Sequence, residues 1–125
     1  MSNRETAVAF WESLARRDFD SASAALHGEF IEEWPQSGER IVGVRNWLRM
    51  VNEHPTFPTI QPRRTIGATD IWVSECRFDY GDGTPWSICA VQEFRDGRIA
   101  RITEYFGAPF GAADWRADIV ERIGD

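Results

Sequence analysis

Lysine is absent from this sequence: all 14 basic residues are arginine, set against 20 acidic ones for a formal net charge of −6. No stretch gathers enough arginine for the positive stripe that phosphate backbones require, so nucleic acid is excluded as a partner. Arginine favours bidentate anion contacts, but a GC-rich genome gives the same composition without that demand. Cysteine is scarce. Cys76 and Cys89 are too few and too far apart for a zinc framework, and His27 and His54 stand in no ligand spacing, so neither a metal nor a cofactor is expected. There is no GxSxG elbow, Walker loop or GxGxxG, and Gly81-Asp82-Gly83 reads as a turn. Serine hydrolases of that type and nucleotide enzymes drop out. Nothing reaches membrane-spanning length, and the opening MSNRETAVAFWESLARRD interleaves charges with apolar residues and offers no cleavage site. The expectation is a cytoplasmic protein without a membrane partner.

What the chain has in excess is aromatic side chains. Six Trp and eight Phe in 125 residues are more than one compact core absorbs easily, and large aromatics also line concave apolar sites. At 14.3 kDa the chain suits one domain, residues 1–125, with a core and a pocket.

Ser2 and Glu5 have capping-box spacing, and Ala7, Phe10, Leu14 with Val8, Trp11, Ala15 form one apolar face, which predicts a helix over residues 3–17. Asp20 can cap a second helix through Leu26, stopped by Gly28. Phe30 to Pro35 reads as extended because Trp34 precedes proline. Gln36-Ser37-Gly38 turns the chain, and Val44, Trp47, Leu48 and Val51 mark a third helix. From Thr59 to Phe106 the period changes to that of four strands, with Asp96-Gly97 as a hairpin signal. The tail ADWRADIVERI predicts a last helix capped by Asp114, with Trp115, Ile119 and Ile123 on one side. Helices followed by a meander imply an α+β domain whose sheet curls around the first helix.

Three stretches, FWESLARRDFDSASAAL, EEWPQSGERIVG and VQEFRDGRIARITEYFGAPF with the following WRA, cover nearly the whole chain. On them it resembles the SnoaL-like branch of the nuclear transport factor two-like superfamily. The resemblance implies a cone of curved, mixed or antiparallel sheet closed by helices around a small-molecule cavity. That superfamily hosts isomerases, cyclases, dehydratases, epoxide hydrolases and pure binding modules, so the fold does not choose the chemistry. Against the ketosteroid isomerases, the proton-shuttling Asp position carries Trp34, the oxyanion Tyr position Phe10, and the neighbouring acid position Gln92. The resemblance therefore carries none of that catalytic set over.

The same layout places Ile102, Glu104 and Phe106 on the concave side. A carboxylate between an aliphatic and an aromatic neighbour is desolvated and has a raised pKa, which suits a general acid or base near neutrality, so Glu104 is the catalytic candidate. A structural carboxylate held by a neighbouring donor is its plainer role. Gln92 can orient a ligand carbonyl or serve as a buried amide. Phe10, Leu14, Trp34, Trp72, Cys76 and Trp86 complete the expected ligand wall with Ile102, Gln92 and Phe106. Glu32 and Glu33 point to opposite sides of their strand, one of them toward solvent. On the convex face, Val73, Glu75, Arg77, Thr103 and Tyr105 form the expected homodimer contact that the resemblance implies.

If Asp82-Gly83 is a two-residue turn, Cys76 lies opposite Cys89, and a β-bulge near Ala90-Val91 is needed to keep Cys76 and Gln92 both concave. Two functions follow. One is a cofactor-independent enzyme that moves protons on a small, mostly apolar carbonyl compound, as a cyclase, isomerase, dehydratase or hydrolase does. The other is a module that binds an apolar ligand without turning it over, or serves only to dimerise. A second polar group within reach of Glu104 favours the enzyme.

Overall fold

The computed structural model describes residues 1–124; Asp125, the last residue of the expected single domain, lies outside them. Helix α1 spans Asn3–Ala15 and begins with the expected capping box, in which Ser2 Oγ accepts from the Glu5 amide and Glu5 Oε1 accepts from the Ser2 amide. It buries Ala7, Phe10, Trp11 and Leu14. The short α2, Phe19–Ser23, is capped by Asp18 and not by Asp20: the Asp18 carboxylate accepts from the Ser21 amide at 3.1 Å and the Ser21 hydroxyl at 2.7 Å. Leu26, expected to end this helix, instead opens strand β1, and Gly28 lies within that strand.

Strand β1 is Leu26–Trp34, β2 Glu39–Val42, β3 Thr59–Ala68, β4 Ile71–Asp79, β5 Trp86–Arg95 and β6 Arg98–Gly107; helix α3, Val44–Glu53, follows β2. They form one curved, unclosed sheet in the order β2-β1-β6-β5-β4-β3. Only β1 and β6 run parallel. The fold is thus α+β, with α1 lying in the concavity. Trp11 and Phe78 meet at 6.1 Å between ring centroids, and Phe10 bridges Trp11 and Trp47 at 5.4 and 5.8 Å. Ile88, Ala90, Phe94, Ile99 and Ile102 close the core from below.

Asp96 and Gly97 both have positive φ, as the tight β5–β6 hairpin requires. The β4–β5 connection differs from the expected two-residue turn. Residues 80–85 make a longer loop, tied by Asp79 Oδ1, which accepts from the amides of Gly81 and Gly83 at 2.8 and 3.2 Å. The register moves by one accordingly: Cys76 pairs with Ile88, and Cys89 with Glu75. The two thiols face opposite sides of the sheet. The ladder from Phe78 and Trp86 to Ile71 and Glu93 is uninterrupted, so the bulge expected near Ala90-Val91 is not there. The concave placement of both Cys76 and Gln92 survives because the loop, not a bulge, supplies the odd residue. Register shifts lie elsewhere, between Leu26 and Ile31 in the β1–β6 pairing, between Glu93 and Phe94 on the β6 side and between Pro62 and Arg64 in β3, where proline removes a ladder donor.

The tail forms a 3₁₀ helix over Asp114–Ile119 in place of the expected α-helix. Its cap position is Ala113, with no side-chain bond, and Trp115 and Ile119 remain exposed.

Candidate functional site

Between α1, α3 and the concave face lies a cavity of about 710 Å³, within the usual range of small-molecule sites. Phe10, Trp11 and Leu14 come from α1, Trp47, Met50 and Val51 from α3. The sheet supplies Glu32 and Trp34 from β1, Ile60 from β3, Phe78 from β4, and Glu104 and Phe106 from β6. Tyr80 and His54 stack at 6.1 Å near the rim, where Arg49 donates to Glu53 at 2.8 Å.

Two carboxyl groups stand in this apolar wall. The parallel pairing sets Glu32 level with Ile102 and Glu33 level with Thr103. Continued by one residue, it brings Trp34 beside Glu104, and the Trp34 indole N–H donates to Glu104 Oε1 at 2.9 Å. Glu104 is also the next concave-facing residue of β6 after Ile102, which sets it diagonally beside Glu32 in the cavity wall. Both acids are buried, at 3% exposure for Glu32 and 7% for Glu104.

Burial, with no cation alongside, raises both pKa values. Glu104 is pushed up to about 7 by desolvation, and the hydrogen bonds from Trp34 and Glu32 restrain the rise. Glu32 is raised well above the carboxylate range by desolvation and then by the charge of Glu104, with the indoles of Trp34 and Trp47 pulling the other way. Both carboxyls therefore hold a proton to higher pH than a carboxyl in water, and Glu104 is poised between its two states near neutrality. A shared proton between two acids of separated affinity is the ingredient of paired acid and base action.

Glu33 turns the other way and binds Arg40 at 2.6 Å and Arg101, so Glu33 is the outward member of the pair and Glu32 the inward one. Glu32 was missed as a site residue, although the signal was present. Phe30, Glu32 and Trp34 share one face by strand parity, so a cavity-facing Trp34 carries Glu32 inward with it.

Of the residues expected at the site, Phe10, Leu14, Trp34, Glu104 and Phe106 line the cavity. Trp72, Cys76, Trp86, Gln92 and Ile102 do not. Trp72 sits at the β3–β4 end, its indole donating to the Thr69 carbonyl at 3.1 Å. Trp86 packs behind Tyr80 at 5.9 Å, and Cys76 and Ile102 are buried in the core. Gln92 is fully buried behind α1: its Oε1 accepts from Trp11 Nε1 at 3.0 Å and its Nε2 donates to Ser74 Oγ at 2.7 Å. It holds Trp11 in the wall without facing the space. Among the described residues no cluster of three or more His, Cys, Asp or Glu side chains makes a metal cradle, and no helix is long and apolar enough to cross a membrane.

This architecture recurs in solved structures. An NTF-2 like protein of unknown function from Burkholderia xenovorans LB400 is 36% identical, with a TM-score of 0.89 over 98% of this chain and 95% of that one. A candidate ketosteroid isomerase from Kribbella flavida DSM 17836 is 24% identical, with a TM-score of 0.88 over 98% of this chain and 90% of the other. An LEH-like epoxide hydrolase from M. tuberculosis is 24% identical, with a TM-score of 0.70 over 83% and 81%. The last two likenesses speak for the fold alone. No curated protein matches the chain in sequence. The SnoaL-like domain family matches residues 7–102, a span running from the α1 face in the cavity wall to Ile102, the β6 partner of Glu32, and the chain accordingly belongs to that family.

Proposed function

We propose that this chain is a cofactor-independent acid–base enzyme acting on a small, mostly apolar carbonyl compound, with Glu104 as base and Glu32 as its proton-holding partner. The supporting observation is the placement of these two buried carboxyls side by side in the wall of an aromatic cavity. Ionised Glu104 takes a proton from the carbon beside the carbonyl, and the C–H electron pair moves into an enol whose oxygen receives the proton of Glu32. Glu104 then returns its proton to a carbon while the enol O–H gives its proton back to Glu32, which re-forms the carbonyl and restores both acids. Trp34 holds the Glu104 carboxylate in place through its N–H. The steroid-isomerase reading gains nothing from the likeness in fold, because Phe10, Trp34 and Gln92 occupy the positions of that catalytic set.

The enzyme acts as a homodimer in this reading. Support comes from a transverse row on the convex face, Ile66, Val73, Val91 and Thr103, aligned strand to strand and only partly covered or exposed. Free Cys76 and Cys89 fit a reducing, cytoplasmic setting.

The test is α-proton exchange of benzylacetone in D₂O, followed by proton NMR. Exchange accelerated by the protein and reduced about 10²–10⁴-fold by Glu104→Gln supports the proposal. Exchange no faster than in buffer, or unchanged in the variant, removes Glu104 from the chemistry.

A further inference from the structure

If proton transfer takes place at this dyad, the charges around it also restrict what the cavity admits. Besides Glu32 on β1 and Glu104 on β6, the titratable and charged groups lining that space are Tyr80 after β4, Arg49 and Glu53 on α3, and His54 after α3, while Cys76 on β4 lies in the core within reach of the Glu104 charge. Helix α1 contributes only Phe10, Trp11 and Leu14. Burial and the nearby Glu104 push Cys76 and Tyr80 each to about 12, so both stay neutral. Burial lowers the His54 pKa and favours its neutral ring. The Arg49 guanidinium is 71% exposed at the rim and already engaged by Glu53. Among the described residues no cation acts on the dyad, and any charge that develops there is negative. Both carboxyls are buried, so little solvent reaches them to screen it.

We infer that the cavity is a charge filter: it accepts an uncharged, aromatic-sized molecule bearing a hydrogen-bond acceptor and refuses an ionised acid of the same shape. The acceptor meets the proton held between Glu32 and Glu104, and the apolar body lies among Phe10, Trp47 and Phe106. A ligand carboxylate or phosphate would set like charges side by side in a medium of low dielectric. The substrate consequently arrives as a free neutral molecule and not on a phosphate-bearing carrier. A step that generated a carboxylate would expel its own product.

Benzylacetone and hydrocinnamate test this, since a methyl ketone and a carboxylate terminate the same phenylethyl frame. Each is titrated against the protein by quenching of Trp fluorescence at about pH 8 and about pH 6, where hydrocinnamate is ionised throughout. Benzylacetone binds about 100-fold tighter or more at the higher pH, and the gap narrows roughly tenfold at the lower pH as Glu104 takes up its proton. The double variant Glu32→Gln, Glu104→Gln narrows it similarly at the higher pH. Should that variant not fold, the pH dependence of the wild-type ratio decides alone. Equal affinities at the higher pH overturn the filter, as does a ratio indifferent to pH and to the variant, or failure of benzylacetone to bind. Selective binding without α-proton exchange would contradict the acid–base reading and leave the filter standing; exchange with equal binding of hydrocinnamate would do the reverse.

Discussion

The Trp34 indole donates to Glu104 across the parallel seam of β1 and β6, at 2.9 Å, and so ties the exit of one strand to the acid on the other. The bond favours the ionised form of Glu104. Trp34→Phe keeps a ring in the wall and removes only the donor. It should raise the Glu104 pKa further and cost about 1–2 kcal/mol at pH 8, less at pH 5. Chemical denaturation at the two pH values checks this; equal costs at both would mean that the indole contributes packing alone.

Stability should depend on pH with a sign set by burial. The folded chain keeps the Glu104 proton up to about pH 7, whereas an unfolded carboxyl releases it near 4.5. Between those values the folded state holds more protons, so stability falls as pH rises through that window, by roughly 3 kcal/mol. Glu32, also raised well above the carboxylate range, adds a loss of the same sign. Glu33 and Glu53, held below the usual range by Arg40 and Arg49, act in the opposite sense and at lower pH. Glu104→Gln should therefore flatten the decline, seen as melting temperatures that differ less between about pH 5 and pH 8 than in the wild type. A wild-type decline no steeper than the variant's would contradict the assignment.

Gln92→Leu separates support from site. It leaves the buried Trp11 N–H without its acceptor and takes from the Ser74 hydroxyl one of its two partners, Thr65 remaining at 3.0 Å. The expected cost is about 2–4 kcal/mol in denaturant melts, with benzylacetone affinity changed by less than about threefold. A large loss of affinity at unchanged stability would put Gln92 in the ligand's path.

Much of this architecture was legible in the sequence because its local signals agreed with one another. The capping box at Ser2 and Glu5, the α1 face and the Asp96-Gly97 hairpin all depend on neighbours in the chain. What misled was longer in range or finer in chemistry. Asp18 and Asp20 are both competent caps, and only the packing of α2 chooses between them. Gly-Asp-Gly suggested a tight turn, but Asp79 reaches forward to organise a longer one, and a one-residue error in loop length moves every cross-strand partner. Glu104 was legible as an inward carboxylate. Its partner was not, because the parallel β1–β6 pairing joins segments about 70 residues apart and leaves no periodic mark in either. Strand position alone could not tell Trp34, in the cavity wall, from Trp72 and Trp86, which lie outside it.

The dimer face has a direct check. Val91 lies between Val73 and Thr103 on the convex side, away from the cavity. Val91→Asp should convert a dimer to a monomer in light scattering at micromolar concentration, with little change in benzylacetone binding. A wild-type protein that is already monomeric there would contradict the proposed assembly.

Direct titration of the two carboxyls reaches the centre of the account. With glutamate labelled at the side-chain carboxyl carbon, the resonances of Glu32 and Glu104 can be assigned by their loss in Glu32→Gln and Glu104→Gln and then followed by carbon NMR as pH is raised. The account predicts one carboxyl with a midpoint near 7 and the other still protonated when the first has ionised, each midpoint moving when the partner is substituted. Two independent midpoints between about 4 and 5, as for carboxyls in water, would contradict it.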